Sequence, residues 1–175
     1  HCSAASLAIV VASVYVNPAF RRQWRDAAAS LPVGPAWDPR SIVTTTIRPP
    51  ARELLRAQST LDPGEEWLLE PQRVDGHPNL WSPGITLGVL PGSWFHRTEC
   101  LGPVLGVMRA TDAAGAVRIQ NDSSFGLVGG LHSLDDREIA WWRDHVQVGN
   151  ACVNRPTVGA IVGRQPFGGW HYSSF

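Results

Sequence analysis

The sequence contains no lysine: its fifteen basic residues are all arginine, and fifteen acidic residues bring the formal net charge to zero. The arginines are scattered from Arg21 to Arg164 without forming a basic stripe, so no nucleic-acid partner is expected. Charge is scarce altogether, at 17% against about 25% in an average globular domain, while hydrophobic residues reach 43%. Part of the surface is therefore expected to belong to an interface. Cysteine is rare as well. Cys2, Cys100 and Cys152 are odd in number, far apart and without a C-x-x-C pair, which argues against a disulfide framework and a zinc knuckle and leaves no metal site expected. The longest apolar run, Leu7–Val16, has about half the length of a membrane span and no basic region before it. Neither a transmembrane helix nor a signal peptide is expected, and the chain reads as cytoplasmic. G-x-G-x-x-G and P-loop patterns are absent. At 175 residues the chain fits one domain, able to bury roughly 70% of its unfolded surface.

What is present alternates between strand and helix signals. The β-branched run Leu7–Val16 predicts a central strand buried on both faces. Asn17 and Pro18 suit the cap and first turn of a helix over Pro18–Ser30, with Phe20, Trp24 and Ala27 or Ala28 on one face. The Pro, Gly and Asp density of Leu31–Pro50 predicts a loop, and Ala51–Ser59 a second helix. Glu66–Glu70 and Gly84–Leu90, fenced by Pro and Gly, suit edge strands or hairpin arms. Val104–Met108 predicts a buried strand, Asp112 a cap for a helix over Ala113–Gln120, and Gly126–Leu131 a further strand. Asp135 with Glu138 has capping-box spacing before a helix whose apolar face is Ile139, Trp142 and Val146, and Val148–Asn154 closes the series as a strand. This order implies an α/β fold with a mostly parallel sheet and with functional loops at the strands' carboxyl ends.

Three segments carry chemistry when taken together. His1-Cys-Ser-Ala-Ala-Ser6 places a thiol before the first strand among small side chains; alone, such a cysteine reads as an ordinary packed residue. Thr98-Glu-Cys-Leu-Gly-Pro-Val-Leu-Gly106 resembles the E-x-F-G-P motif of aldehyde dehydrogenases. Val153-Asn-Arg-Pro-Thr-Val-Gly-Ala-Ile-Val-Gly-Arg-Gln-Pro-Phe-Gly-Gly-Trp170 resembles their V-N-x…P-F-G-G segment, and Cys2-Ser3 the C-S that follows their catalytic turn. The order is the family's, over nearly the whole chain. Cys2-Ser-Ala-Ala-Ser-Leu7, Phe125-Gly-Leu-Val-Gly-Gly-Leu-His-Ser-Leu134 and Gly159–Phe167 are most similar to Δ1-pyrroline-5-carboxylate (glutamate semialdehyde) dehydrogenases, which many bacteria fuse to proline dehydrogenase.

That resemblance implies a three-layer αβα catalytic domain over residues 1–175, lacking the N-terminal coenzyme-binding domain and the C-terminal arm. It implies Cys2 as the nucleophile, forming a thioester, with the Cys2 N–H as an oxyanion donor. Glu99 would accept from the nicotinamide-ribose hydroxyls of NAD, and Leu101 would stand where the motif has Phe against the nicotinamide. Ser3, Gly159 and Ala160 would bind the substrate α-carboxylate, and Phe167 would pack on its methylene stem. Asn154 would hold backbone near the site. The implied partners are a small aldehyde, the coenzyme domain of the same longer chain, which binds most of the NAD, and other copies of that chain. The general-base glutamate and the oxyanion-hole asparagine precede the thiol in the family, so the isolated chain is expected to be inactive. Ile42–Ile47 and His171-Tyr172 also depart from the pattern, without removing a catalytic group. Two other readings compete: a thiol hydrolase pairing Cys2 with one of six histidines, and a degenerate structural or oligomerisation domain in which Cys2 is a remnant.

Overall fold

The computed structural model describes residues 2–174, so His1, the one residue before the thiol, lies outside the described residues. These residues fall into two compact units, Ser6–Arg109 and residues 2–5 with 110–174.

The first unit is built on a four-stranded sheet of β1 (Leu7–Val11), β2 (Glu66–Leu69), β3 (Gly84–Leu87) and β4 (Val104–Ala110), in the order β1-β4-β3-β2. β3 and β4 run parallel, Gly84 opposite Val104, whereas β2 pairs antiparallel with β3, Glu66 opposite Leu87, with an irregularity between Trp67 and Leu69. Ile85, Leu87 and Val107 form the core, and Val10, Tyr15, Trp24, Ala28, Leu68 and Leu69 pack against it. Burying each aliphatic side chain at this centre stabilises by about 1.5–3 kcal/mol.

Two expectations change here. Leu7–Val16 is not one strand: β1 stops at Val11 and a single helical turn, α1 (Ala12–Tyr15), follows. An unbroken apolar run looks alike in both states. The turn aims Tyr15 so that its hydroxyl accepts from the Gly88 N–H at 2.9 Å, while Arg21 stacks on its ring at 4.7 Å. Nor is β1 central, since among the described residues it ends the sheet beside β4 and its side chains are half-buried. β3 takes the hairpin-arm alternative: it pairs antiparallel with the preceding strand β2, lies inside the sheet fully buried, and ends at Leu87, where Gly88 turns out of the strand at φ +82°.

α2 (Pro18–Ala29) starts where Asn17 and Pro18 predict: Asn17 Oδ1 accepts from the N–H groups of Ala19 and Phe20 at 2.9 and 3.2 Å. Its Trp24 and Ala28 face the core. α3 (Arg52–Ser59) and the short α4 (Trp94–Arg97) complete the unit, Arg56 of α3 lying over the Trp94 ring at 4.1 Å.

The second unit contains α5 (Ala113–Asn121), β5 (Val128–Leu131), α6 (Asp136–His145) and β6 (Asn150–Val153). β5 and β6 pair in parallel, Val128 opposite Asn150 through Leu131 opposite Val153, with α6 as their crossover. Asp112 caps α5, accepting from the Gly115 N–H at 2.6 Å. Buried Trp142 of α6 donates to Gln120 of α5 at 3.2 Å. The capping box of α6 closes indirectly. Asp135 accepts from the Arg137 N–H, while Ser133 Oγ donates to the Glu138 carboxylate and accepts from the Asp135 N–H. The fold is α/β with a mostly parallel sheet, and among the described residues no helix is long and apolar enough to cross a membrane.

Candidate active site

The loop after β6 leaves the carboxyl end of the parallel pair, the position where α/β proteins build their sites. Asn154 opens it in the left-handed region at φ +52°, and its side chain grips the Ser133 backbone from both sides, accepting from the N–H at 3.0 Å and donating to the carbonyl at 2.8 Å. The loops following β5 and β6 are thereby joined. At the far end, Asn150 Nδ2 donates to the carbonyls of Leu127 and Gly168, each at 2.7 Å. Gly149 lets that turn approach, since a Cβ there would lie 2.1 Å from the Gly168 carbonyl oxygen.

Between these anchors Thr157 Oγ1 donates to the Ser3 carbonyl at 2.8 Å. This bond brings the thiol segment to the loop that carries Gly159 and Ala160. Gly159 takes φ +101°, and among the described residues neither its N–H nor that of Ala160 donates to a backbone carbonyl. Successive N–H groups in such a conformation attract an anion. The Arg155 guanidinium adds positive charge beside them, its Nη2 lying 3.9 Å from where a Gly159 Cβ would stand. Cys2, Gly159, Ala160 and Phe167 are exposed and Ser3 is half-buried. Thr157, Asn150 and Arg155 were not singled out by sequence: the first and last stand at variable places of the Val153–Trp170 segment, Asn150 in β6 is a commonplace residue, and Thr157 and Asn150 find their partners far away in sequence.

Glu99 and Leu101 belong to the unit Ser6–Arg109 and are placed by the turn entering β4. Leu101 adopts φ +48° and stays exposed, as does Glu99. Gly102 packs under Leu54 of α3, and the Pro103 carbonyl accepts from the Gly84 N–H at 2.8 Å, so the turn is braced by both α3 and β3. An exposed carboxylate on a braced turn suits sugar hydroxyls, and a bare aliphatic side chain beside it suits the flat face of a ring. Both fit the expected coenzyme. Cys100, between them, is buried, and burial first, then Glu53 and Glu99, pushes its thiol up to about 11. Among the histidines, His96 is buried with its Nδ1 accepting from the Gly92 N–H at 2.9 Å, and the His145 ring is tied to the Trp141 carbonyl at 2.7 Å and stacked on the Trp141 ring.

The model of the aldehyde dehydrogenase family matches residues 1–175. A curated 1-pyrroline-5-carboxylate dehydrogenase from Geobacillus sp. (strain WCH70) is 30% identical over 98% of this chain and 33% of its own length. Among solved structures, proline utilization A from Corynebacterium freiburgense is 48% identical with a TM-score of 0.93, covering 99% of this chain and 18% of that one. A 1-pyrroline-5-carboxylate dehydrogenase from Thermus, solved with bound NAD, is 32% identical with a TM-score of 0.86, covering 99% and 33%. The chain thus spans about a third of the length of the curated relatives it matches.

Proposed function

Because the chain belongs to the aldehyde dehydrogenase family, we propose that it is the thiol-bearing part of a longer, NAD-dependent enzyme that oxidises L-glutamate γ-semialdehyde, the open form of pyrroline-5-carboxylate, to glutamate. The observation that carries this reading is the Thr157–Ser3 hydrogen bond, which joins an exposed thiol segment to a loop with open backbone donors.

In this reading the Cys2 thiolate adds to the aldehyde carbon, and the Cys2 N–H stabilises the oxyanion that forms. Bound NAD would supply the hydride acceptor for this carbon. Water then cleaves the resulting thioester, releasing the carboxylic acid and restoring the thiol. Ser3 Oγ and the N–H groups of Gly159 and Ala160 hold the substrate α-carboxylate, and Phe167 covers the methylene stem. Glu99 would hold the coenzyme by accepting from its ribose hydroxyls, and Leu101 would offer the nicotinamide an aliphatic contact. A segment outside these residues supplies the general base and most of the coenzyme site, so the 175-residue chain alone turns over no aldehyde.

The test is NADH formation by the full-length protein with pyrroline-5-carboxylate. Cys2→Ala is expected to lower kcat on the order of a thousandfold or more. Undiminished oxidation by that variant would remove the thiol from the reaction.

A further inference from the structure

We infer that Thr157 is the positioning residue that gives the site its preference for carboxylate-tailed ligands, by setting Ser3 against the donors of Gly159 and Ala160. This rests on the reading of those three residues as the carboxylate nest. Thr157 Oγ1 donates to the Ser3 carbonyl at 2.8 Å, a bond between residues 154 positions apart. It uses the Ser3 carbonyl and so does not engage the Ser3 hydroxyl. The Thr157 methyl is seated as well: its Cγ2 lies 3.1 Å from where a Cβ on Gly130 of β5 would stand. A β-branched side chain held by its methyl on one side and its hydroxyl on the other has one rotamer available. Thr157 therefore transmits the position of β5 to Ser3.

The surrounding loop is anchored by other means, through Asn154 on Ser133 at one end and Asn150 on Gly168 at the other. Loss of the Thr157 hydroxyl thus leaves both ends of the loop in place and frees the link to Ser3. Gly159 and Ala160 follow Thr157 by two and three residues, so their N–H groups lie within roughly 7–11 Å of chain from the tether. A tether this close fixes the spacing between a side-chain donor and two main-chain donors, which a carboxylate with two oxygens reads and a neutral tail does not.

The experiment measures how glutamate protects Cys2 of the full-length protein from iodoacetamide, with the modified cysteine identified by peptide mass. Turnover is measured separately, so a wild-type protein that makes no NADH counts against the proposed reaction and leaves the protection result standing. Thr157→Val keeps the shape and removes the donor; the half-protecting glutamate concentration is expected to rise on the order of five- to tenfold, as loss of one hydrogen bond implies. Thr157→Ser, which keeps the hydroxyl but loses the methyl seated against Gly130, is expected to fall between wild type and Thr157→Val, a partial rescue that a purely steric role would not give. An unchanged half-protecting concentration in Thr157→Val, an equal loss in Thr157→Ser, or no protection of the wild-type protein overturns the inference.

Discussion

Burial, followed by the Glu53 and Glu99 carboxylates, raises the Cys100 thiol to about 11, while the Cys2 side chain stands exposed. Thiolates, not thiols, alkylate. At pH 8 iodoacetamide is therefore expected to modify Cys2 of the native full-length protein and spare Cys100, with denaturant abolishing the difference; peptide mass mapping reads this. The same burial predicts a pH dependence of stability. Below pH 9.0, the ordinary value of the group, Cys100 is protonated in both folded and unfolded chains. Between there and about 11 the unfolded thiol ionises and the folded one does not, so stability falls by about 1.4 kcal/mol per pH unit. Cys100→Ala lacks this loss. Urea midpoints measured from pH 8.5 to 11 should show its deficit against wild type shrinking as pH rises. At this scale the motif positions Cys2, Ser3, Gly159, Ala160 and Phe167 could be named from sequence order. Thr157 and Asn150 could not, because what distinguishes each is a neighbour brought to it by folding.

Local signals sufficed for most elements because caps act within a few residues. Asn17, Asp112 and Asp135 all accept hydrogen bonds from first-turn N–H groups, as their spacing predicts. Asn17→Ala should cost about 1 kcal/mol, seen as a lower urea midpoint with an unchanged slope. The strands were less legible. Val11 and Ala12 lie in one apolar run, yet the chain changes from strand to helix between them, so that the Tyr15 hydroxyl reaches Gly88 from a position 73 residues away. The loop after β6 depends on contacts of the same kind. Gly149→Ala would drive a Cβ to 2.1 Å from backbone, which must move, displacing the Gly168 turn from Asn150. Because backbone atoms cannot step aside as a side-chain tip can, a loss of on the order of 2 kcal/mol or more in stability is expected. Turnover should fall with it, since the displaced turn directly follows Phe167, which thermal melts and NADH assays on one preparation would show.

For the molecule as a whole, a match over residues 1–175 coincides with coverage of a third of the related enzymes. Large apolar side chains lie bare in both units: Trp37 at 86% and Ile47 at 92% exposure in one, Leu134 at 100% and Val162 at 101% in the other. Surface of that kind accords with the scarcity of charge. The purified 175-residue chain is accordingly expected to give no NADH with pyrroline-5-carboxylate and no saturable NAD+ binding by calorimetry in the micromolar range. Robust turnover would place the general base within these residues. By itself the sequence determined the family, the α/β class, the helix caps and the identity of the nucleophile candidate, because motifs and caps are local patterns of residue type. Only the tertiary structure decided the strand order, the burial that separates Cys100 from Cys2, and the tether from Thr157 to Ser3. Each of these depends on which distant backbone groups meet, and hydrogen bonding and desolvation act only at contact.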